Sequence, residues 1–323
     1  MRKKVTIEDI SRLTGLSRGT ISRALNNRPD ISEATRQKVL AACRKLHYTP
    51  SFAARSLATG RQLAVLVLVP AADVPVLPPF VAALSRYAGQ QQYVTLVSVL
   101  ASQKRDLPVS IAELPAERAD AAIVLGSVPK PAQSALRRRL GTMPCVLCDE
   151  SEGLSGDVIA PDTAEAGRLA VRALPRQVRR FLCLVAGDPR QRRFAEGVRE
   201  QAARRQVEVE VAEAAEGLED RLAGVDAVVC GDDVLAAFAM GWLRAAGRAV
   251  GEEVWVIGHG NTALCEQLPV PLTSIEPEWD QVARRAFDTA RARIEKLRRD
   301  APSRVLVPPR LIVRSSCPAG SDL

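Results

Sequence analysis

Only two histidines, His47 and His259, occur in the 323 residues. No Walker loop or pair of histidines is present either, so nucleotide-dependent and histidine-based catalysis have little to work with. No enzyme activity is expected. No stretch approaches the roughly 20 apolar residues of a membrane span, which leaves no membrane partner. The opening Met1-Arg2-Lys3-Lys4 is followed by Glu8 and Asp9 where a signal peptide carries its apolar region, so the chain is expected to stay in the cytoplasm. The seven cysteines (43, 145, 148, 183, 230, 265 and 317) are odd in number and mostly embedded in apolar runs, which suits reduced, buried thiols. Cys145 and Cys148 make a lone CxxC with no second pair. Positions three apart on a strand point to opposite faces, so core packing is expected there rather than a metal or redox centre. No cofactor is expected. No heptad tail follows Ser316, which argues against a coiled-coil tetramer.

Basic charge is present, and it is unevenly placed. The formal net charge is +8. Residues 1–60 hold 12 of the 45 Lys+Arg but only 4 of the 37 Asp+Glu, and the 33 basic and 33 acidic residues that remain cancel. The whole excess sits in the first fifth of the chain, as in a polyanion-binding module joined to a neutral one.

Thr6 reads as an N-cap with Glu8 and Asp9 in the first helical turn, favourable to the helix dipole. Ile7, Ile10 and Leu13 recur at helical spacing, and Gly15 supplies a turn. Ser17 is placed to cap a second helix with Ile21 and Leu25 on its inner face and Arg18, Gly19, Ser22 and Arg23 elsewhere. Residues 26–29 (NNRP) break it. Ser32 caps a third helix, with Val39, Cys43 and Leu46 inward and Arg36, Lys38, Arg44 and Lys45 outward. Three short helices with a tight turn between the first two make a helix-turn-helix.

Residues 5–10 (VTIEDI), 15–23 (GLSRGTISR), 31–36 (ISEATR), 47–50 (HYTP) and 53–57 (AARSL) together resemble the headpiece of the lactose-repressor (LacI/GalR) family. The resemblance implies a double-stranded DNA operator as partner. It gives base reading to Arg18, Gly19 and Arg23, and arginine's fork suits guanine O6 and N7. Gly19 departs from the side-chain-bearing residue usual there, so selectivity should relax at one base pair. Thr6, Ser17, Thr20, Ser22, Asn26, Ser32 and Thr35 fall to phosphate contact and register. Residues 50–60 resemble the family's hinge helix, with Ala54 and Leu57 at the minor groove and Leu57 as an apolar wedge. A helix that short is marginal alone and should order only when paired on DNA.

From Gln62 onward strands and helices alternate. Residues 63–69 form a continuous apolar run of the kind buried in a parallel sheet. Strands follow near 93–99, 121–125, 145–148, 181–185, 207–211, 225–230 and 254–257. Helices are expected over 79–89, 162–174, 190–205, 233–246 and 277–298. The fold class is therefore an N-terminal all-α helix-turn-helix headpiece with hinge helix, plus an α/β core of two doubly wound parallel-sheet subdomains like a periplasmic binding protein. A ligand cleft is expected at the strands' carboxyl ends. The expected domains are 1–49 (headpiece), 50–60 (hinge helix), 61–316 (effector-binding and dimerisation core) and a tail, 317–323. Within the core, the N-subdomain takes about 61–159 and 278–301, and the C-subdomain about 160–276 and 303–316.

Core segments resemble the family more loosely: 162–170 (DTAEAGRLA), 232–237 (DDVLAA), 256–261 (VIGHGN), 271–275 (PLTSI) and 307–315 (VPPRLIVRS). Members that bind free sugars generally use Asn where Asp232 stands, Asp where Gly260 stands, and Arg where Phe194 stands. The effector implied is a sugar or sugar phosphate, with Asp73, Asp149, Arg192, Arg193, Asp232 and His259 as candidate contacts. Arg192 and Arg193 read either as a clamp for a phosphate or carboxylate, with His259 across the cleft, or as solvated helix-start arginines. Two half-sites need two headpieces, so a homodimer on a pseudo-palindromic operator is expected. By resemblance Phe80, Leu84 and Tyr87 contribute to its interface. Three readings stay open: an effector-released regulator, most often a repressor; a same-fold regulator with a vestigial pocket or a protein co-regulator; and an enzyme or transport binding protein.

Overall fold

The computed structural model describes residues 5–25, 30–48, 56, 60–70, 77–101, 103, 105–149, 154–213 and 218–318. Asn26, Ala54, Leu57 and Asp73 lie outside them. The chain divides into two compact units, 1–62 and 63–323. Among the described residues no helix is long and apolar enough to cross a membrane.

Among its described residues the first unit holds the helices α1 (Ile7–Thr14), α2 (Arg18–Leu25) and α3 (Glu33–Lys45). Their shared core is Ile10, Ile21, Ala24, Val39, Ala42 and Cys43, with Ile7, Leu25 and Leu46 partly buried against it. Leu13 does not join them: it is 43% exposed, and the inward position one residue on belongs to Thr14. The Thr14 hydroxyl donates to the Ile10 carbonyl at 2.8 Å, which makes a polar residue acceptable inside. Gly15 ends α1 at φ +68°, a left-handed position that suits glycine, and its N–H returns to Ser11 O at 2.8 Å.

The second unit holds two six-stranded sheets. The first runs β11-β5-β4-β3-β1-β2, all parallel, from β1 (Ala64–Pro70), β2 (Val94–Leu100), β3 (Ala121–Val124), β4 (Cys145–Leu147), β5 (Asp157–Pro161) and β11 (Arg304–Val307). The second runs β12-β10-β9-β8-β6-β7, from β6 (Arg180–Val185), β7 (Glu208–Glu213), β8 (Ala227–Cys230), β9 (Trp255–His259), β10 (Thr273–Glu276) and β12 (Arg310–Ile312). It is parallel except for the antiparallel edge pair β10–β12. The two doubly wound halves expected from the alternation are present.

Three differences from the sequence reading have physical causes. β5 went unpredicted because a strand opening on aspartate is locally unfavourable. Its stability is distant: Asp157 accepts from Arg293 Nε and Nη2 and from the Ser303 N–H and hydroxyl, each at 2.9 Å. Second, residues 303–316 are not all in the C-subdomain. β11 pairs with β5 in the first sheet; Pro308 and Pro309, which lack an N–H for a ladder, follow, and only β12 lies in the second. Third, Phe80 and Leu84 are fully buried within the chain, with the Phe80 ring 6.1 Å from that of Trp279. They cannot be interface side chains. Tyr87, half-buried on the same helix (Leu77–Gln90), donates its hydroxyl to Asp280 at 2.6 Å.

Candidate nucleic-acid interface and cleft

In the first unit, packing of Ile21 and Ala24 turns the opposite side of α2 outward. Arg18 and Arg23 stand in solvent, and each meets one carboxylate: Arg18 Nη1 donates to Glu8 Oε1 at 3.1 Å and Arg23 Nη1 to Asp30 Oδ2 at 3.4 Å. Exposed pairs of this kind are worth about 0.2–1 kcal/mol, so either arginine is easily released to another acceptor. Gly19 is exposed, and a Cβ there would meet only Ser17 Oγ, at 3.8 Å.

The hydroxyl residues assigned to phosphate contact first serve the helix ends. Ser17 Oγ accepts the Thr20 N–H at 3.1 Å, Ser32 Oγ accepts the Thr35 N–H at 3.3 Å, and each serine lies 2.9 Å from the threonine hydroxyl. The Thr6 N–H and hydroxyl both donate to Asp9 Oδ2 at 2.9 Å. Ser22 is half-buried on α2. The exposed starts of α2 and α3 thus keep formed N-termini, where backbone N–H groups favour anions. From sequence Glu8 reads only as a first-turn acid of α1 and Asp30 carries no reading; their pairing with the arginines shows only once the helices are packed.

In the second unit, the candidate residues gather where strands end. Gly167 and Gly197 let helices Thr163–Ala173 and Pro189–Arg205 touch backbone to backbone: a Cβ at 197 would lie 1.9 Å from Ala164 O, and one at 167 would lie 2.1 Å from Phe194 O. That contact seats Phe194, fully buried, against the His259 ring at 5.2 Å between centroids and 23° between planes. His259 therefore lies in the same half as Arg193, not across the cleft from it. Its Nδ1 is 3.1 Å from Gly231 O, so the neutral ring donates there and leaves Nε2 as an enclosed acceptor without a partner among the described residues. Burial lowers its pKa, keeping it neutral at physiological pH.

Asp232 is committed to structure. Its Oδ1 caps helix Asp233–Ala245 through the Leu235 N–H at 2.7 Å, and its Oδ2 accepts from Gln191 Nε2 at 2.8 Å. Gln191, buried and missed from sequence, also accepts the Ala186 N–H at 2.5 Å. Gly260 has a reason of its own: φ is +129°, and a Cβ would lie 3.1 Å from Asp233 Oδ2. That buried carboxylate accepts from the Ser274 hydroxyl at 2.6 Å and the Thr262 N–H at 2.7 Å. Between the halves one ion pair is formed by candidate residues: Arg193 Nη1 lies 3.6 Å from Asp149 Oδ1, with Asp149 buried beyond the end of β4. Arg192 is exposed on its helix. All seven cysteines are free; burial pushes the Cys145 thiol up to about 12 and Cys148 higher still.

Comparison with known proteins follows the same division. The family model for bacterial regulatory proteins of the lacI family matches residues 6–51, and that for a periplasmic binding protein-like domain matches 176–317. The HTH-type transcriptional repressor PurR of Vibrio parahaemolyticus is 26% identical over 333 residues, covering 96% of this chain and 98% of that protein. PurR of Escherichia fergusonii is 26% identical over 338 residues, covering 98% and 97%. Among solved structures, the lac repressor dimer bound to operator and an anti-inducer superposes with a TM-score of 0.75 at 23% identity, covering 98% of this chain and 100% of that one. The regulator CelR in complex with cellobiose gives 0.67 at 22%, covering 97% and 100%. With a helix-turn-helix unit ahead of two doubly wound halves, and relatives matched along nearly its whole length, the chain carries the lacI-family match in residues 6–51 and the periplasmic binding protein-like match in 176–317.

Proposed function

We propose that the protein is a sequence-specific transcriptional repressor that binds a pseudo-palindromic DNA operator as a homodimer and is released or tuned by a small molecule held between the two halves of its core. The observation that carries this reading is α2. Its outer side presents Arg18 and Arg23 in weak, exposed pairs beside the bare backbone of Gly19, while its inner side is locked by Ile21 and Ala24. Pairing of two chains is supported by an apolar strip on helix Asp233–Ala245, where Val234 and Phe238 sit one turn apart and are 55% and 66% exposed. Base reading falls to Arg18 and Arg23, and non-specific attraction to outward lysines such as Lys38. Arg18→Ala is expected to lower operator affinity about 5- to 100-fold and to change base preference. Lys38→Ala should weaken all sequences alike and flatten the salt dependence by about one unit of slope. Titrations on operator and random duplex at several salt concentrations separate the two; equal losses on both DNAs for Arg18→Ala count against the assignment.

A second reading keeps the DNA interface but takes the cleft as vestigial or as the seat of a protein co-regulator. Its support is that Phe194 replaces the arginine of free-sugar binders, Gly260 offers no carboxylate, and Asp232 is spent on a cap and on Gln191. Melting curves with sugars and sugar phosphates discriminate. A rise with any of them supports the effector reading, and no shift with any cleft-sized metabolite favours the second.

A further inference from the structure

Glu8 is out of place by charge. It stands on the first turn of α1, 57% exposed, in the most basic part of the chain and beside the side chain proposed to enter the groove. A carboxylate brought to DNA is repelled by the phosphates and gains only where it meets a hydrogen-bond donor. The packing fixes where it goes. α1 and α2 share the Ile10–Ile21 core, their turn is tied by the Gly15 N–H to Ser11 O and by the Ser11 hydroxyl to Leu16 O at 2.7 Å, and the start of α1 is tied by Thr6 and Asp9. Glu8 therefore sits beside Arg18 as a consequence of the fold.

The chemistry of the pair is complementary. Glu8 Oε1 occupies Arg18 Nη1, leaving the guanidinium's Nε–H and Nη2–H fork for guanine O6 and N7. The second oxygen of Glu8 remains an acceptor. Gly19, the residue after Arg18 on α2, leaves an open space, since a Cβ there would find nothing nearer than Ser17 Oγ at 3.8 Å. In the major groove, cytosine N4 and adenine N6 offer donors, whereas guanine O6 and thymine O4 present lone pairs.

We propose that Glu8 is a specificity-determining residue: with Arg18 it forms a two-residue reader in which Arg18 takes a guanine and the Glu8 carboxylate held beside it accepts from the exocyclic amine of the adjoining base. Amino bases (cytosine, adenine) are selected there and keto bases (guanine, thymine) rejected. This rests on the DNA-binding reading above.

The test is in vitro selection from a random duplex pool by the full chain and by Glu8→Ala and Glu8→Gln, with binding to random DNA measured in parallel. The unaltered protein should enrich a half-site with guanine beside an amino base. Glu8→Ala should lose about tenfold of the preference at the amino base alone, as one base contact is worth, while its affinity for random DNA rises because a repulsive charge is gone. Glu8→Gln should shift that position toward adenine, the base glutamine pairs with through N6 and N7. If both variants enrich the same half-site with unchanged preference at every position, Glu8 is not a reader, although the DNA-binding assignment survives. If the unaltered protein enriches no sequence, both fall together.

Discussion

In the headpiece, Arg18 and Arg23 stand in solvent and touch Glu8 and Asp30 at 3.1 and 3.4 Å; in the core, Gln191, Asp232 and His259 are tucked among their own neighbours, with Asp232 holding a helix start and a buried amide. Exposed pairs exchange partners at little cost. An enclosed polar group gives up a partner only at about 1–3 kcal/mol unless another replaces it. The headpiece is thus built to trade its contacts for those of a polyanion, and most polar groups around the cleft hold the halves in shape. The Asp149–Arg193 pair is intermediate: it joins the halves at 3.6 Å, with Arg193 about a quarter exposed.

The sharpest way to break this contrast is to remove a structural charge from the core. Asp157 is almost fully enclosed and accepts four hydrogen bonds from Arg293 and Ser303. Asp157→Ala takes from Arg293 its buried carboxylate, leaving it the exposed Asp300 at 3.2 Å, and should cost the core about 3 kcal/mol, with the headpiece transition unmoved, as calorimetry on the full chain would register. Burial pushes the Asp157 carboxyl up, but the bonds from Arg293 and Ser303 outweigh it and leave the group below the ordinary aspartate value. A depressed folded pKa contributes stability that is full above the unfolded value of about 3.9 and is lost as pH falls through the lowered one. The core of the unaltered protein should therefore weaken below about pH 4, and Asp157→Ala should be flatter over that range.

Next in size is Gly197→Ala. The added methyl carbon would stand 1.9 Å from the Ala164 carbonyl oxygen, backbone that cannot swing away as a side chain can. Overpacking of this sort typically costs about 1–3 kcal/mol, and a clash against backbone belongs at the upper end. The helix carrying Phe194 must shift, so near-ultraviolet circular dichroism should change with the melting temperature. An unchanged core transition would show that the two helices separate freely, contrary to the close packing seen.

The two regions also differed in how far the sequence could be read. The headpiece is local: caps, a glycine turn and helical spacing within sixty residues pointed to α1, α2 and α3, and only Leu13 was assigned to the wrong side. Strand–helix alternation likewise announced two doubly wound halves. What escaped depended on partners far along the chain. β5 needs Arg293 and Ser303, about 140 residues away; β11 needs β5; and the interior position of Phe80 needs Trp279. Around the cleft, Asp232 looked like a ligand contact because an acid at a strand's end is what a binding site offers, yet a helix N-cap offers the same signature. Nothing local marks Gln191 as the residue that claims its other oxygen.

Gly19→Ala is the smallest change and sets the two glycines directly against each other. At 197 a methyl carbon meets backbone at 1.9 Å; at 19 it meets one hydroxyl oxygen at 3.8 Å, an ordinary contact. Gly19 also has no positive φ to protect, so alanine loses less conformational freedom on folding and should stabilise the headpiece by about 0.5–1 kcal/mol. On a unit this small that corresponds to a melting shift of about 2–8 °C upward. If Arg18 reads a base as proposed, a methyl group on the next residue of α2 takes up space in the groove beside it. Alanine at 19 should therefore raise the melting temperature while lowering discrimination at the base pair beside Arg18. A rise in melting temperature with base preference unchanged would make Gly19 a neutral residue, and a fall would mean that α2 is not the open helix the contacts describe.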